Sequence, residues 1–319
     1  MQFSLRDKAP VLLAAAILLA APAMAPGLRA ILFMAVAEAV VALGILVLLR
    51  AGQISYGHAL YFAAGAYAVA FGSRWLGPEL LLTLPFAVAC SALLGAALGA
   101  ILVRYRDIFF AMLNLAFSMV GFTLLLKLYD LTGGSDGLTV AQHRYAGLAL
   151  PADDYGPATY ALAVALLALA LLATSRYLAS PQGQALSALK TNETRLEYLG
   201  VSGRAVLYRA YVASAALAGL GGALAALGTG HVTPELGYWT KSAEFVFIAV
   251  LGGVGHVAGA LAGAVGFELL RSYASAAAAN AWQLIMGAVL ILIVLFAPQG
   301  LCGLVRKAGA ARAAKEASA

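Results

Sequence analysis

Long apolar runs dominate the chain and are separated by short polar stretches. Residues 80–103, 108–126, 155–175 and 210–230 contain no aspartate, glutamate, lysine or arginine. A helix needs about 20 mostly apolar residues to cross a bilayer, so runs of this length predict membrane-spanning helices. A membrane β-barrel would instead show segments of about ten residues with alternating polarity, and the chain has no such alternation. The pattern therefore predicts an all-α membrane protein.

The apolar runs divide into ten hydrophobic passes. Two of these are short, and a helix-breaking stretch at 252–256, Gly-Gly-Val-Gly-His, separates them. The charge-free run at 272–305 is too long for one span, so it must contain a turn. We expect one transmembrane domain over 1–319, with some helices short or broken. The ten passes are 11–26, 28–49, 55–73, 79–103, 107–129, 157–178, 207–228, 241–254, 257–272 and 281–303.

Composition excludes a soluble protein. Hydrophobic residues make up 63% of the 319 residues and charged residues only 11%, with a mean hydropathy of +0.91. A typical soluble domain is about half apolar and about a quarter charged. Cys90 and Cys302 lie in apolar runs, so they predict neither a disulfide framework nor a zinc site.

The distribution of lysine and arginine predicts the orientation in the membrane. With the N-terminus inside and ten crossings, 14 of the 20 basic residues fall inside, as the positive-inside rule requires. The six that fall outside are Arg29, Arg74, Lys127, Arg144, Lys241 and Arg271. Both termini, including a tail at 306–319, are then cytoplasmic. An alternative concerns only the start of the chain, because Arg6, Lys8 and the Ala23-Met24-Ala25 stretch are also typical of a cleaved signal peptide.

The outer loop, 130–156, is acidic and rich in turn-forming residues at 132–137. One interpretation is a solvated connection without a further role. The other is a docking surface, because loops held by a rigid scaffold often carry function. The candidate docking residues are Asp136, Asp153 and Asp154.

The inner loop, 176–209, is basic and has the pattern of short helices lying along the membrane. Ser180 and Pro181 predict a helix start, with serine as N-cap and proline at the first helical position. Asn192 and Glu193 interrupt the segment, and Gly200 suits a helix end. A plain linker would not need the two apolar pairs that follow the start, Leu186 with Leu189 and Leu196 with Leu199.

A few polar residues fall inside the apolar passes. Glu38 lies near the middle of the second pass, where a charge is costly and is a functional candidate by default. The alternative is a neutral or hydrogen-bonded carboxyl packed between helices. Glu268 and Arg271 are three residues apart and predict an ion pair along one helix.

Histidines and small residues in the passes have mainly structural interpretations. His58 and His256 each follow a glycine near an expected inner edge, and packing or capping is the more common role for such a histidine. Asn114 is a candidate for hydrogen bonding between helices. Small residues four apart, which allow close helix packing, occur at Gly95 with Gly99 and at Gly259 with Gly263.

An ordered set of motifs resembles the bacterial branched-chain amino acid ABC transporter permeases of the LivM type. Any one motif is weak, but together they follow the family order from about residue 50 to 305. The matching stretches are GQISYGHA at 52–59, GAY at 65–67, FAMLNLAF at 110–117, LTGGSDGL at 131–138, SPQGQALSALKTNE at 180–193, VLGGVG at 250–255, GA at 259–260 and APQGL at 297–301.

The resemblance implies a type II ABC importer-like permease, a non-catalytic subunit in a bacterial inner membrane with about ten transmembrane helices. It implies that 179–206 is a cytoplasmic coupling region and that glycine breaks shape the pathway. The implied coupling residues are Ser180, Gly183, Leu186, Leu189, Lys190, Asn192, Glu193, Leu199 and Gly200. Among these we expect Leu186 and Leu189 to be exposed anchors that enter a groove of an ATPase subunit, with Lys190 and Glu193 at the polar rim. The implied helix-break and pathway residues are Gly57, His58, Gly65, Asn114, Gly252, Gly253 and Gly255.

The resemblance also implies partners. These are a second permease of the LivH type as a heterodimer, two ABC ATPases, and a periplasmic or lipid-anchored substrate-binding protein; no nucleic acid is expected. The chain has no G-x-x-x-x-G-K-[ST] sequence, so we expect ATP and magnesium to be used by the partner subunits and no cofactor to be bound here.

Three alternatives remain open at this point. An ABC importer for urea or short amides would use the same permease type. An ion-coupled secondary transporter would favour broken helices near the midplane, although Glu38 is the only acid predicted deep in a pass. A membrane enzyme would need paired catalytic residues, which the sequence does not suggest.

Overall fold

The computed structural model describes residues 14–22, 27–278, 281–296 and 300–303. The tail at 306–319 and the Ala23-Met24-Ala25 stretch lie outside the described residues. Residues 14–22 are helical. The helices that follow are α1 (Leu28–Arg50), α2 (His58–Trp75), α3 (Leu80–Leu102), α4 (Asp107–Lys127), α5 (Tyr129–Thr132), α6 (Ala152–Ala179), α7 (Pro181–Thr191), α8 (Glu193–Tyr198), α9 (Gly203–Thr229), α10 (Trp239–Gly252), α11 (Ala258–Ala277) and α12 (Trp282–Phe296).

The prediction of an all-α polytopic protein is confirmed. Each of the ten predicted passes coincides with a helix in the described part of the chain. Within the described residues, five helices are long and apolar enough to cross a membrane by length and composition, namely α1, α3, α4, α6 and α9. The expected break at 252–256 is present, since α10 ends at Gly252, and the run at 272–305 is divided, since α11 ends at Ala277 and α12 begins at Trp282.

Helix α1 forms the centre of the bundle. It is apolar on every side, as expected of a helix that is enclosed by others, and its buried residues run almost without interruption from Leu32 to Leu48. It packs against α6, α9, α10 and α11. Helix α9 in turn packs against α1, α2 and α3, so α1 and α9 together hold the remaining helices in place.

Glycine allows the main chains of α2 and α9 to touch. A Cβ atom at Gly65 would overlap the main chain of Gly219. The predicted small-residue spacings have the same effect, because Gly95 packs against Ala215 of α9 and Gly263 against the main chain of Ile248 in α10. Close packing of this kind is typical of membrane helix pairs.

Two segments without α-helix enter the bundle, 51–57 before α2 and 230–238 before α10. The second begins with β2 (His231–Val232), which pairs with β1 (Leu138–Thr139) of the outer loop. It then turns inward, where the Gly237 carbonyl accepts a 3.0 Å hydrogen bond from the Ser118 hydroxyl of α4. Helices α2 and α10 start beside each other, because the Ala59 N–H donates to the Ser242 hydroxyl at 2.8 Å. Non-helical backbone at this depth is tolerated because protein surrounds it.

Helices α3 and α4 lie at the edge of the bundle. Large apolar side chains on their outer faces are more than half exposed, among them Leu93, Ile108 and Phe109. Such faces suit contact with lipid or with another membrane subunit.

Candidate functional site

The helical part of the inner loop has the predicted local structure. The Ser180 hydroxyl accepts the Gly183 N–H at 3.4 Å, which caps α7 at its N-terminus, and Pro181 occupies the first helical position. The Asn192 side chain caps α8 by accepting the Arg195 N–H at 2.9 Å. Gly200 follows α8 with φ of 79°, the left-handed conformation that glycine adopts readily.

The apolar face of α7 packs against the permease itself, which corrects its expected role as an exposed anchor. Leu186 and Leu189 are buried within this chain, where α7 contacts α6, α9 and α1. Gly183 is also buried, and a Cβ there would overlap the main chain at Tyr177 and Leu178. The sequence pattern located the apolar face correctly but could not show which surface covers it.

The second apolar pair does not share one face. Leu196 is buried, whereas Leu199 is 74% exposed and the neighbouring Tyr198 is 88% exposed. Lys190 and Asn192 are exposed as well. The outward surface of α7 and α8 is therefore polar, with one apolar projection at the end of α8.

An ion pair fixes this segment to the turn between α3 and α4. The guanidinium of Arg106 donates to both carboxylate oxygens of Glu193, at 3.0 Å and 2.6 Å. A two-pronged pair of this kind also fixes the relative orientation of the two groups. Gly203 at the start of α9 leaves room for it, because a Cβ there would overlap the Glu193 side chain.

His58 and Asn114 belong to a buried polar network between α2, α4 and α9. The His58 Nδ1 lies 3.0 Å from the Ser55 hydroxyl, and its Nε2 is hydrogen-bonded to Ser214. The Asn114 Oδ1 accepts from Ser55 at 3.1 Å and also from Tyr211. Both His58 and Asn114 are fully enclosed. They join helices to one another and are enclosed by protein in this conformation, so the pathway role stays a prediction.

Four members of this network, Ser55, Tyr61, Tyr211 and Ser214, escaped the sequence analysis. The hydroxyl groups of Tyr61 and Tyr211 are 2.7 Å apart, and both rings are buried. Tyr211 and Ser214 lie three residues apart on α9, which puts both on one helix face. That spacing of polar groups within an apolar helix was the available signal.

The glycines assigned to helix breaks differ in what they do. Gly57 precedes α2 and lies against the main chain of Asn114. Gly252 packs on the main chain of Gly259, and Gly253 has φ of 95°, so the turn between α10 and α11 requires glycine at this position. A Cβ atom at Gly255 would meet no other atom within 4 Å.

The capping role that the sequence favours for histidine is found at His256. Its Nδ1 accepts the Ala258 N–H of α11 at 3.2 Å. This bond satisfies one of the main-chain donors that a helix start leaves without an intrahelical partner.

Charged residues from α1, α10 and α11 meet inside the bundle. The Lys241 ammonium lies between Glu38 and Glu244, at 2.6 Å and 2.7 Å. The predicted pair of Glu268 and Arg271 is confirmed at 3.0 Å. Glu38 is therefore ion-paired, and Lys241 and Arg271 lie among the helices, not in outer loops as the count of basic residues assumed. We call these five residues the charged cluster.

The outer loop is fixed to the bundle, and its acidic residues are exposed. Main-chain hydrogen bonds join Arg144 to Pro78 and Leu80 at the start of α3. Asp136 accepts from the Tyr129 hydroxyl at 3.0 Å, and this carboxylate raises the pKa of the tyrosine. Asp153 and Asp154 occupy the first turn of α6, where negative charge favours the helix dipole.

Comparison with known proteins matches the sequence of this chain to one family. A family model described as "Branched-chain amino acid transport system / permease component" matches residues 27–295. The high-affinity branched-chain amino acid transport system permease protein LivM of Escherichia coli (strain K12) is 29% identical over 281 residues, covering 80% of this chain and 65% of that protein. LivM of Salmonella typhimurium is 30% identical with the same coverage.

A second kind of permease shares part of the chain. The high-affinity branched-chain amino acid transport system permease protein LivH of Escherichia coli (strain K12) is 30% identical over 139 residues, covering 43% of this chain and 44% of that protein. The match to the LivM relatives spans just under two thirds of their length. A search of the solved structures finds no significant match. The helical membrane bundle and the family match along most of its length establish that this chain belongs to the branched-chain amino acid transport system permease family.

Proposed function

We propose that this chain is a membrane-spanning permease subunit of an ABC importer that moves branched-chain or related amino acids into the cell. The observation that carries the proposal is the capped helix pair α7–α8, held on the bundle by the Arg106–Glu193 ion pair. A separate ATPase could move the helices only through a segment joined firmly to them. Family membership supports the same role.

The ATPase contact is assigned to the outward surface of α7 and α8. Tyr198 and Leu199 project from it, and aromatic residues are frequent anchors in protein interfaces. Ser187 and Lys190 supply a polar rim. The buried leucines of α7 have a different task, because they hold the segment on the permease while it is pushed.

ATP and magnesium belong to the partner subunits in this proposal. The sequence contains no G-x-x-x-x-G-K-[ST] stretch, whose backbone N–H groups and lysine would hold the phosphates. Movement of the ATPases would reach the α3–α4 turn through Arg106 and change the packing of the helices, a rigid-body switch.

The proposal includes two further partners, a second permease and a binding protein, and assigns each of them to a surface of the bundle. A second permease of the LivH type would cover apolar membrane faces such as those of α3 and α4. A periplasmic or lipid-anchored binding protein would dock on the outer loop at Asp136, Asp153 and Asp154, which are exposed. This arrangement requires a bacterial inner membrane with both termini of the chain in the cytoplasm.

The direct test is uptake by the complete importer in liposomes, with its own second permease, ATPases and binding protein. We expect leucine to accumulate only with ATP inside and with loaded binding protein outside. A complex with inactive ATPase subunits is the matched control. Uptake that persists in this control would contradict the proposal.

The ion-coupled alternative draws on the carboxylates of the charged cluster, since acids inside a membrane often mark ion pathways. Uptake that survives inactive ATPases but collapses when a protonophore is added would favour it. Accumulation of urea or a short amide, with no uptake of leucine, would instead assign the chain to the amide importers.

A further inference from the structure

The charged cluster lies near the middle of the bundle. Glu38 is close to the centre of the 23-residue helix α1, about 15–18 Å from either end at 1.5 Å per residue. Glu268 is similarly central in the 20-residue helix α11. Lys241 belongs to the first turn of α10, which starts inside the bundle beside α2. Charges at this depth are costly, and pathways for substrates or ions are a common reason for them.

The cluster contains three acids, Glu38, Glu244 and Glu268, and two basic groups, Lys241 and Arg271. The Glu38 side chain is fully buried, and its Oε2 has no hydrogen-bond partner among the described residues. Leaving buried polar atoms without partners is unfavourable. The cluster's own basic groups are therefore shared among three acids and do not satisfy every polar atom.

Two members of the cluster are more open than the rest. The side chains of Arg271 and Glu244 are 33% and 24% exposed, whereas Glu38 is fully enclosed. The Arg271 Nη1 and the Glu244 Oε2 are 3.8 Å apart, longer than the two contacts of Lys241. Exposed charges at mid-depth do not face lipid tails, so their open side must face a water-filled path or another subunit.

We propose that the charged cluster is an intramembrane station for the zwitterionic head group of an α-amino acid. The substrate ammonium binds the Glu244 carboxylate, and the substrate carboxylate binds the Arg271 guanidinium in the planar geometry that arginine offers. Lys241 and Glu38 hold Glu244 in place from the enclosed side.

This inference rests on the proposed function and adds the place in the membrane where the amino acid head group binds. Urea and neutral amides lack both charges of the head group, so they would leave Glu244 and Arg271 without their partners. A site built for a charged group rejects an analogue that lacks it, because the buried partners are then left unpaired.

The first experiment uses the complete importer in liposomes with saturating leucine-loaded binding protein. For Glu244→Gln and for Arg271→Gln we expect leucine uptake to fall about tenfold or more. ATPase stimulation by loaded binding protein should stay within about twofold of wild type, so less leucine moves per ATP hydrolysed. Arg74→Gln, which removes an exposed charge at the end of α2, is the matched control and should keep both rates.

The outcomes separate the station from the importer as a whole. Unchanged leucine uptake in both cluster variants would overturn the station and leave the importer intact. An equal loss of uptake, ATPase stimulation and complex stability would show a purely structural ion pair and would also overturn it. Failure of the wild-type complex to accumulate leucine with ATP would instead refute the proposed function.

A second experiment does not alter the cluster. Thr240 is exposed and precedes Lys241, so Thr240→Cys in a Cys90→Ala, Cys302→Ala chain places a single thiol beside the station. In the assembled importer we expect a charged, water-soluble thiol reagent to label it, and leucine turnover to slow labelling several-fold. Absence of labelling, or labelling that is indifferent to leucine, would overturn the proposal whether or not the charge variants assemble.

Discussion

At the scale of single residues, the substitutions that helix packing restricts most are those at glycines where two main chains touch. Gly65 touches the main chain of Gly219 in α9, so an added methyl group has no flexible side chain to displace. Gly156 near the start of α6 has open space around it. The two positions therefore separate the steric effect of a methyl group from its effect on helix propensity.

We predict that Gly65→Ala destabilises the protein by about 1–3 kcal/mol, because the new Cβ forces α2 and α9 apart. Gly156→Ala is the matched control and should be neutral or stabilising by up to about 1 kcal/mol, since alanine favours the helix. Thermal unfolding of the detergent-purified protein measures both. Equal melting temperatures for Gly65→Ala and wild type would contradict the packing of α2 on α9.

At the scale of elements, α7 and α8 carry apolar residues of two kinds, some buried in the permease and some exposed on its surface. Leu186 is fully buried in the permease, whereas Tyr198 at the end of α8 is almost fully exposed. Stability and assembly with the ATPase should therefore respond to different substitutions.

We predict that Leu186→Ala lowers stability by about 2–5 kcal/mol, the usual cost of a cavity in a core. Tyr198→Ala should leave stability nearly unchanged and weaken ATPase co-purification by about 2 kcal/mol, or about 30-fold. Leu169→Ala, an exposed position on α6, is the control and should change neither. Normal ATPase binding by Tyr198→Ala would remove α8 from the interface.

The outer loop contains a histidine that makes its folding sensitive to pH. His143 is buried, and burial lowers its pKa below the usual 6.5, although the Ala141 carbonyl and Glu79 act in the opposite direction. Below about pH 6.5 the unfolded loop takes up protons more readily than the folded loop. The stability that this histidine contributes is thus present above that pH and is lost as the pH falls towards the lowered pKa.

We predict that amide hydrogen exchange in 138–148 is faster at pH 5 than at pH 7.5, after correction for the intrinsic rate. His143→Gln should remove most of this difference, because glutamine does not titrate. An identical pH dependence in the variant and in wild type would show that another group controls the loop.

On the scale of the whole molecule, the sequence predicted well where helices begin and end along the chain. It predicted poorly which residues from distant parts of the chain contact each other. Apolar runs, the cap at Ser180 and the glycine break at 252–253 are local signals, so each could be read from neighbouring residues. The contact of Glu38 with Lys241 joins residues 203 positions apart, and no local pattern indicates it. The burial of Leu186 was missed for the same reason, since an amphipathic pattern does not identify the surface that covers it.

The orientation of the whole molecule is open to a direct test. In a Cys90→Ala, Cys302→Ala chain, we predict that Ser135→Cys is labelled in intact cells by a membrane-impermeant maleimide. Ser187→Cys should be labelled only after the membrane is opened, because the basic residues favour a cytoplasmic inner loop. Both serines are exposed. The reverse result would invert the topology.

Because β1 pairs with β2, only a short segment of chain separates the outer loop from the interior of the bundle. Only nine residues lead from Val232, opposite Leu138, to Lys241 in the charged cluster, a reach of about 30 Å when fully extended. Part of this length is already used in a 3₁₀ turn at Pro234–Gly237, which Ser118 holds in place. A protein that pulled or pressed on the outer loop would therefore displace the start of α10 after only a small movement of the loop. The outer loop and the interior of the bundle are thus mechanically coupled.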